Sequence, residues 1–205
     1  MATSTFLQVN QGTGAKVHTV TEVIGADTVH QEVWKQGEPY LASYTVTFDG
    51  ISTATANSHL LQIMAGSSLK VRVRRIEMHQ DEVATTAVLM NTRLYRLIAA
   101  GTGGSTTIPN PLETSDAAAG ATVMILPTVK GTEGALIAIA KPYMTQTLGA
   151  SSPLKQPIIV WNFDRPRSKP LIIAAGTSNG IAVKNLTAVA GAQVLFDVWL
   201  DESNF

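Results

Sequence analysis

The chain has 205 residues, in which 15 Lys/Arg balance 15 Asp/Glu, 45% are hydrophobic and none is cysteine. The lack of cysteine excludes disulfide stapling, thiol catalysis and cysteine-ligated zinc. Zero net charge argues against direct nucleic-acid binding, which needs a basic footprint to release counterions. A charged fraction of only 15% suits a surface partly covered by partner subunits, so a homo-oligomer is expected. The polar start Met1-Ala-Thr-Ser-Thr5 gives no reason to expect a signal peptide. No apolar run approaches the roughly 20 residues of a membrane helix, so the expectation is a protein made in a cytoplasm, with no membrane partner.

Residues 1–15 are polar and Gly/Thr-rich, and they read as an extended N-terminal arm ordered by contact, with Thr3, Phe6 and Val9 as its interface residues. Residues 16–50 form an expected N-terminal hairpin region, grouped with a β-sandwich over 51–205 as one compact domain. Lys16-Val-His-Thr-Val-Thr-Glu-Val23 alternates, Gly25-Ala-Asp27 turns, and residues 28–34 continue as a second strand. Residues 40–48 are rich in aromatic and β-branched types, as strands are, and Asp49-Gly50 closes them with turn chemistry.

A Ser/Thr/Ala stretch over 52–58 separates that region from the rest. Then His59-Leu-Leu-Gln-Ile-Met64, a Gly/Ser turn, and residues 69–78 predict two strands. In the second, Leu69, Val71 and Val73 share one face and Lys70, Arg72 and Arg74 the other. The Arg74-Arg75 pair breaks the parity where a β-bulge adds a residue. Residues 87–99 fit a strand better than a helix, given their threonines and poor capping. Residues 101–111 read as a flexible Gly-rich loop, and Ser115 or Asp116 caps a short helical turn near 115–119 that Gly120 stops. Strands follow at 122–126, 135–140 and 156–163. The closing segments alternate with a period of two that no helix holds, and Leu195 and Trp199 fall on the outward face of the last one beside Asp197. The fold expected is all-β, a jelly-roll-like β-sandwich.

Each candidate for chemistry has a plainer reading. Gly176-Thr-Ser-Asn-Gly180 matches the nucleophile-elbow pattern around Ser178, but a strand follows where that chemistry needs a helix, so it reads as a hairpin turn. His18 and His30 face each other across the first hairpin in this reading, and His59 and His79 complete the histidines. Without a carboxylate at ligand spacing, the His18/His30 pair is expected to be two ordinary strand residues, and no metal, cofactor or catalytic group is expected in the chain. Asp81-Glu82 and the group Asp197, Asp201 and Glu202 read as solvated charges on exposed positions. Lys70, Arg72, Arg74 and Arg75, with Arg93 and Arg96, form a basic run expected to pair with Glu77 and Asp81 or with a protein partner. Asn185-Leu-Thr187 is a formal sequon without a secretory signal to give it weight.

Three stretches together resemble the small β-sandwich or jelly-roll structural proteins of tailed-bacteriophage virions. They are Gly14-Ala-Lys-Val-His-Thr-Val-Thr-Glu-Val-Ile-Gly25 running into His30-Gln-Glu-Val33, residues 59–76 ending in Arg74-Arg-Ile76, and residues 170–200. Residues 113–119 fit the loop such proteins place mid-domain, whereas 135–163 carry no resemblance. The resemblance implies a non-enzymatic virion protein, a capsid decoration or cement protein that stabilises the head through inter-subunit contacts. Its partners would be the major capsid protein or other virion proteins, and its interface would include Arg72, Arg74, Leu195 and Trp199. The alternative is a tail, neck, baseplate or fibre component binding host glycans on Trp34, Tyr40, Tyr44 or Trp161.

Overall fold

The computed structural model describes residues 3–8, 16–24, 27–32, 41–145, 157–164 and 170–203. The chain divides into two compact units, Met1–Tyr40 and Leu41–Phe205. In the first, β1 (Thr3–Gln8), β2 (Lys16–Ile24) and β3 (Asp27–Glu32) form an antiparallel sheet in that order. Part of the expected arm is therefore a strand, because Thr3–Gln8 finds its ladder partners in β2 of the same chain. The hairpin joins β2 to β3 with Ile24 opposite Asp27. His30 lies opposite Thr21 and His18 opposite Phe6, so the two histidines do not meet across it. Val9, Trp34 and Tyr40 lie outside the described residues.

The second unit holds β4 (Ala42–Ser52), β5 (Ser58–Met64), β6 (Lys70–Glu82), β7 (Val88–Leu89) and β8 (Thr92–Ala99). It continues with β9 (Ser105–Thr107), β10 (Asn110–Pro111), β11 (Thr122–Ile125), β12 (Thr132–Ala140) and β13 (Tyr143–Met144). The last strands are β14 (Ile159–Asn162), β15 (Leu171–Ile173), β16 (Gly180–Asn185) and β17 (Gln193–Ser203). β4 runs through the expected boundary at 50/51, so the unit begins nearer residue 41.

One six-stranded sheet runs β10-β4-β17-β6-β14, with β15 also on β6, and the other runs β12-β8-β16-β5-β11-β9. They are called the β17 sheet and the β16 sheet below. Their pairing follows a simple rule. β4 pairs β17, β5 pairs β16, β6 pairs β14 and β15, and β8 pairs β12, all antiparallel, as in one long ribbon folded at its middle. Rolling that ribbon up brings β17 against β6 and β16 against β8.

The alternation of β17 drives the packing. Val194, Phe196, Val198 and Leu200 are fully buried and join Val46, Val73, Ile76 and Met78 of their own sheet. The same core takes Leu61, Ile63, Leu94, Ile181 and Val183 from the β16 sheet. Two sheets thus share one core, a β-sandwich, and burying a residue such as Phe196 there stabilises it by about 1.5–3 kcal/mol. The bulge expected at Arg74-Arg75 is present: Trp199 pairs Arg75 and Leu200 pairs Val73, leaving Arg74 as the added residue.

Three local expectations are corrected. Residues 115–119 form no helical turn; a turn closes from Asp116 N–H to Glu113 C=O at 3.0 Å, and other parts of the fold hold the segment that follows. Tyr44 Oη donates to Ala117 C=O at 3.0 Å, and the buried Glu202 carboxylate accepts the Gly120 and Ala121 N–H groups at 2.9 and 2.5 Å. The Gly-rich 101–111 loop contains β9 and β10 and packs tightly, since a Cβ on Gly104 would lie 2.3 Å from Ile125 C=O. Residues 176–180 make no hairpin. Asn179 N–H bonds Gly176 C=O at 2.9 Å in a turn that carries the chain from β15 in one sheet to β16 in the other.

Candidate functional site

The outer face of the β17 sheet carries a cluster of charged and polar side chains. Strand parity puts Leu195, Asp197 and Trp199 of β17 opposite to its buried residues. Register then sets Trp199 beside Arg75, Asp197 between Thr47 and Glu77, and Leu195 beside His79. Leu195 and Trp199 are half-buried rather than exposed. The Arg75 guanidinium lies over the Trp199 ring, 5.5 Å from its centroid, and also pairs with Glu77.

An open cleft of about 320 Å³ lies on this face, lined among others by Ser43, Arg74, Arg75, Asn162, Asp164 and Trp199. Asp164 anchors it. Arg72 Nη2 donates to one carboxylate oxygen at 2.9 Å, and Arg74 Nη2 and Nε donate to the other at 2.8 and 3.3 Å. Arg74 also reaches Asp201 at 3.7 Å, and Asp201 accepts the Ser43 hydroxyl at 2.7 Å. The hydrogen bond from Arg74 holds the Asp164 carboxyl below its ordinary range, and the same bond raises the Arg74 guanidinium against the opposing effect of burial. The basic run is thus paired within the chain through Asp164, Asp201 and Glu77. Asp81 instead accepts the Gly50 N–H at 3.1 Å.

Beside the cleft, Glu77, His79 and Asp197 offer three ligand-type atoms, all within 4.8 Å of one another. His79 Nε2 lies 3.5 Å from Glu77 Oε2 and 3.6 Å from Asp197 Oδ2. It is buried and has no hydrogen-bond partner.

The β16 sheet carries a second polar group, bonded to Gly101 of the 101–104 loop. His59 is fully buried, with Nε2 3.1 Å from Glu133 Oε1 and Nδ1 2.7 Å from Gln62 Nε2. Gln62 Oε1 accepts the Gly101 N–H at 2.9 Å, so its NH2 faces Nδ1 and the His59 proton sits on Nε2, donated to Glu133. Lys184 Nζ reaches both Glu133 oxygens, at 2.9 and 3.0 Å. Burial lowers the His59 pKa despite the pull of Glu133. Burial pushes Glu133 up, but hydrogen bonds from Lys184 and His59 outweigh it and hold the carboxyl below its ordinary value.

Of the residues expected at an interface, Arg72, Arg74, Leu195 and Trp199 come together on the outer face of the β17 sheet. Thr3 and Phe6 belong to β1 of the other unit. Arg93 and Arg96 lie on β8 in the other sheet, where Arg96 donates to Ile172 C=O at 2.6 Å, so they do not extend the basic run. Asp201 and Glu202 are buried rather than solvated, because each is held by donors, whereas Asp81 and Glu82 are exposed as expected. Tyr44 and Trp161 are core residues and offer no sugar platform. Ser178 is followed by β16 and not by the helix its motif requires. Asn185 of the sequon is buried, donating to Thr53 C=O at 3.0 Å.

Sequence reasoning did not find Asp164, whose partners lie about 90 positions away with no local signal. Glu77, His79 and Asp197 did carry a signal, the shared outward parity of two strands. These features define an all-β protein with a polar, cleft-bearing sheet face. No family model matches the chain, and neither a curated protein nor a solved structure does.

Proposed function

We propose that the protein is a non-enzymatic structural component of a tailed-phage virion, a jelly-roll decoration protein that bridges capsid subunits as a homo-oligomer. The observation that carries this reading is the strand order. Counting the eight principal strands along the chain (β4, β5, β6, β8, β12, β14 with β15, β16, β17), the sheets run 1-8-3-6 and 2-7-4-5. That rolled-ribbon order is the one on which jelly-roll capsid domains are built. Fold alone does not assign function, so the surface has to carry the assembly role. β12 is the outermost strand of its sheet and holds Leu136 and Ile139, with Ile98 on neighbouring β8, all three substantially exposed. An apolar edge of that kind favours coverage by a neighbouring subunit.

A second reading moves the protein to the tail or fibre as a glycan-binding module. It is favoured by the cleft, where Trp199 stands among Arg74, Asn162 and Asp164. Quantifying this chain in purified particles separates the two. Copies approaching those of the major capsid protein support decoration, and a few copies per particle support the tail. Absence from particles overturns both. On a glycan array, binding lost in Trp199→Ala supports the tail reading. Deleting residues 1–14 is expected to abolish incorporation while leaving the second unit folded.

A further inference from the structure

We propose that Glu77 Oε2, His79 Nε2 and Asp197 Oδ2 form a three-ligand site for a divalent first-row transition cation, zinc above all. The inference does not depend on the virion reading. His79 Nε2 sits at nearly equal distances, 3.5 and 3.6 Å, from one oxygen of each carboxylate. Those separations are too long for hydrogen bonds. They match the edge of a coordination tetrahedron. Metal–ligand bonds of about 2.1 Å place neighbouring ligands about 3.4 Å apart. The buried nitrogen without a hydrogen-bond partner is thereby accounted for, since as a ligand it would give its lone pair to the ion.

The surroundings have the form of an outer ligand shell. Arg75 pairs with Glu77 Oε1 and the Thr47 hydroxyl donates to Asp197 Oδ1, which fixes each carboxylate and leaves its other oxygen toward His79. The backbone fixes the rest, since Thr47, Asp197 and Glu77 are register partners on β4, β17 and β6, and His79 is two residues along β6. An imidazole with two carboxylates suits zinc and its neighbours rather than calcium or magnesium, which take oxygen ligands. Three protein ligands leave a fourth position for water on the outward side. A bound ion would tie together the two central strands of the sheet.

The test is calorimetric titration of the metal-free full chain with zinc chloride near neutral pH, alongside thermal melts with and without the metal. One zinc per chain and a raised Tm are expected. His79→Ala and Asp197→Asn should weaken binding by well over about tenfold, and Thr47→Val by roughly tenfold, the usual effect of losing an outer-shell partner. Asp197→Asn keeps the side-chain volume and an acceptor for Thr47, so it tests ligation without disturbing the strand. Cobalt provides a second readout, because four-coordinate cobalt gives intense visible bands that the His79 variant must lose. Zinc binding of equal strength in the wild type and both ligand variants would place the ion elsewhere and overturn the proposal. So would the absence of saturable binding.

Discussion

The two sheets of the second unit treat charge on their outer faces in opposite ways. On the β16 sheet, His59, Glu133, Lys184 and Gln62 interlock, Gln62 also holds Gly101, and every group has a fixed partner. On the β17 sheet, Arg72, Arg74, Arg75, Asp164 and Glu77 pair around an open cleft, and Arg74 and Asp164 remain substantially in water. The first arrangement is worth energy because water is excluded. The second leaves charges that a partner or ion can still engage. Structure is bought on one face and interaction is kept on the other.

The largest effect should come from Glu133→Ala. It strands the buried His59 and the Lys184 ammonium, whose side chain is 11% exposed. Because Glu133 keeps 22% of its side chain in water, about 3 kcal/mol is expected, the low end of breaking a buried pair. Urea denaturation with an unchanged slope measures it. A loss under about 1 kcal/mol would make this network no different from an exposed one.

Acid should act on the same face. His59 has a folded pKa below its ordinary 6.5, chiefly through burial, so the unfolded chain takes up that proton first. Its contribution is complete above 6.5 and declines as pH falls below that value. Protonation would also put a hydrogen on Nδ1 against the Gln62 NH2. Glu133 is held below its ordinary 4.5, so its contribution is complete above 4.5 and is lost on further acidification. Denaturation midpoints should begin to fall below pH 6.5 and fall further below 4.5, and His59→Gln should remove the part that sets in at 6.5. A flat profile between 6.5 and 4.5 in the wild type would contradict the buried, neutral His59.

The glycine that abuts the network gives a smaller expected effect. A Cβ on Gly101 would lie 2.5 Å from Val129 C=O and 2.7 Å from Gln62 Nε2. Gly101→Ala should therefore cost about 1–3 kcal/mol through overpacking. If it also lowers the acid sensitivity attributed to His59, the loop and the network act as one element.

This contrast was half legible in the sequence. Period-two alternation gave the strands, and the broken parity at Arg74-Arg75 gave the bulge, because both are local. The outward parity of Leu195 and Trp199 was equally plain, but their half-burial under neighbouring side chains was not. Pairings that join distant segments stayed hidden: Asp164 with Arg72 and Arg74, Glu202 with Gly120 and Ala121, Glu133 with His59. Charges read one at a time look solvated, and only the rolled ribbon shows which of them are held by distant partners. The Gly-rich 101–104 segment was misread for the same reason. Glycine marks close backbone approach as readily as flexibility, and here it permits the approach.

The smallest effect, and the one that most sharpens the contrast, should come from Asp164→Asn. Its side chain is 39% exposed, and its pairing with Arg72 and Arg74 is screened by solvent. The expected change in stability is below about 1 kcal/mol, shrinking further in about 1 M salt as exposed charges are screened. What should change is the surface, since the two guanidiniums lose the carboxylate between them and the cleft becomes more positive. Under the virion reading, incorporation into particles should respond while the urea midpoint barely moves. A destabilisation matching that of Glu133→Ala would mean that the open face is as structural as the closed one. The Arg–Asp cluster would then be a clamp on β14 rather than part of a surface kept for a partner.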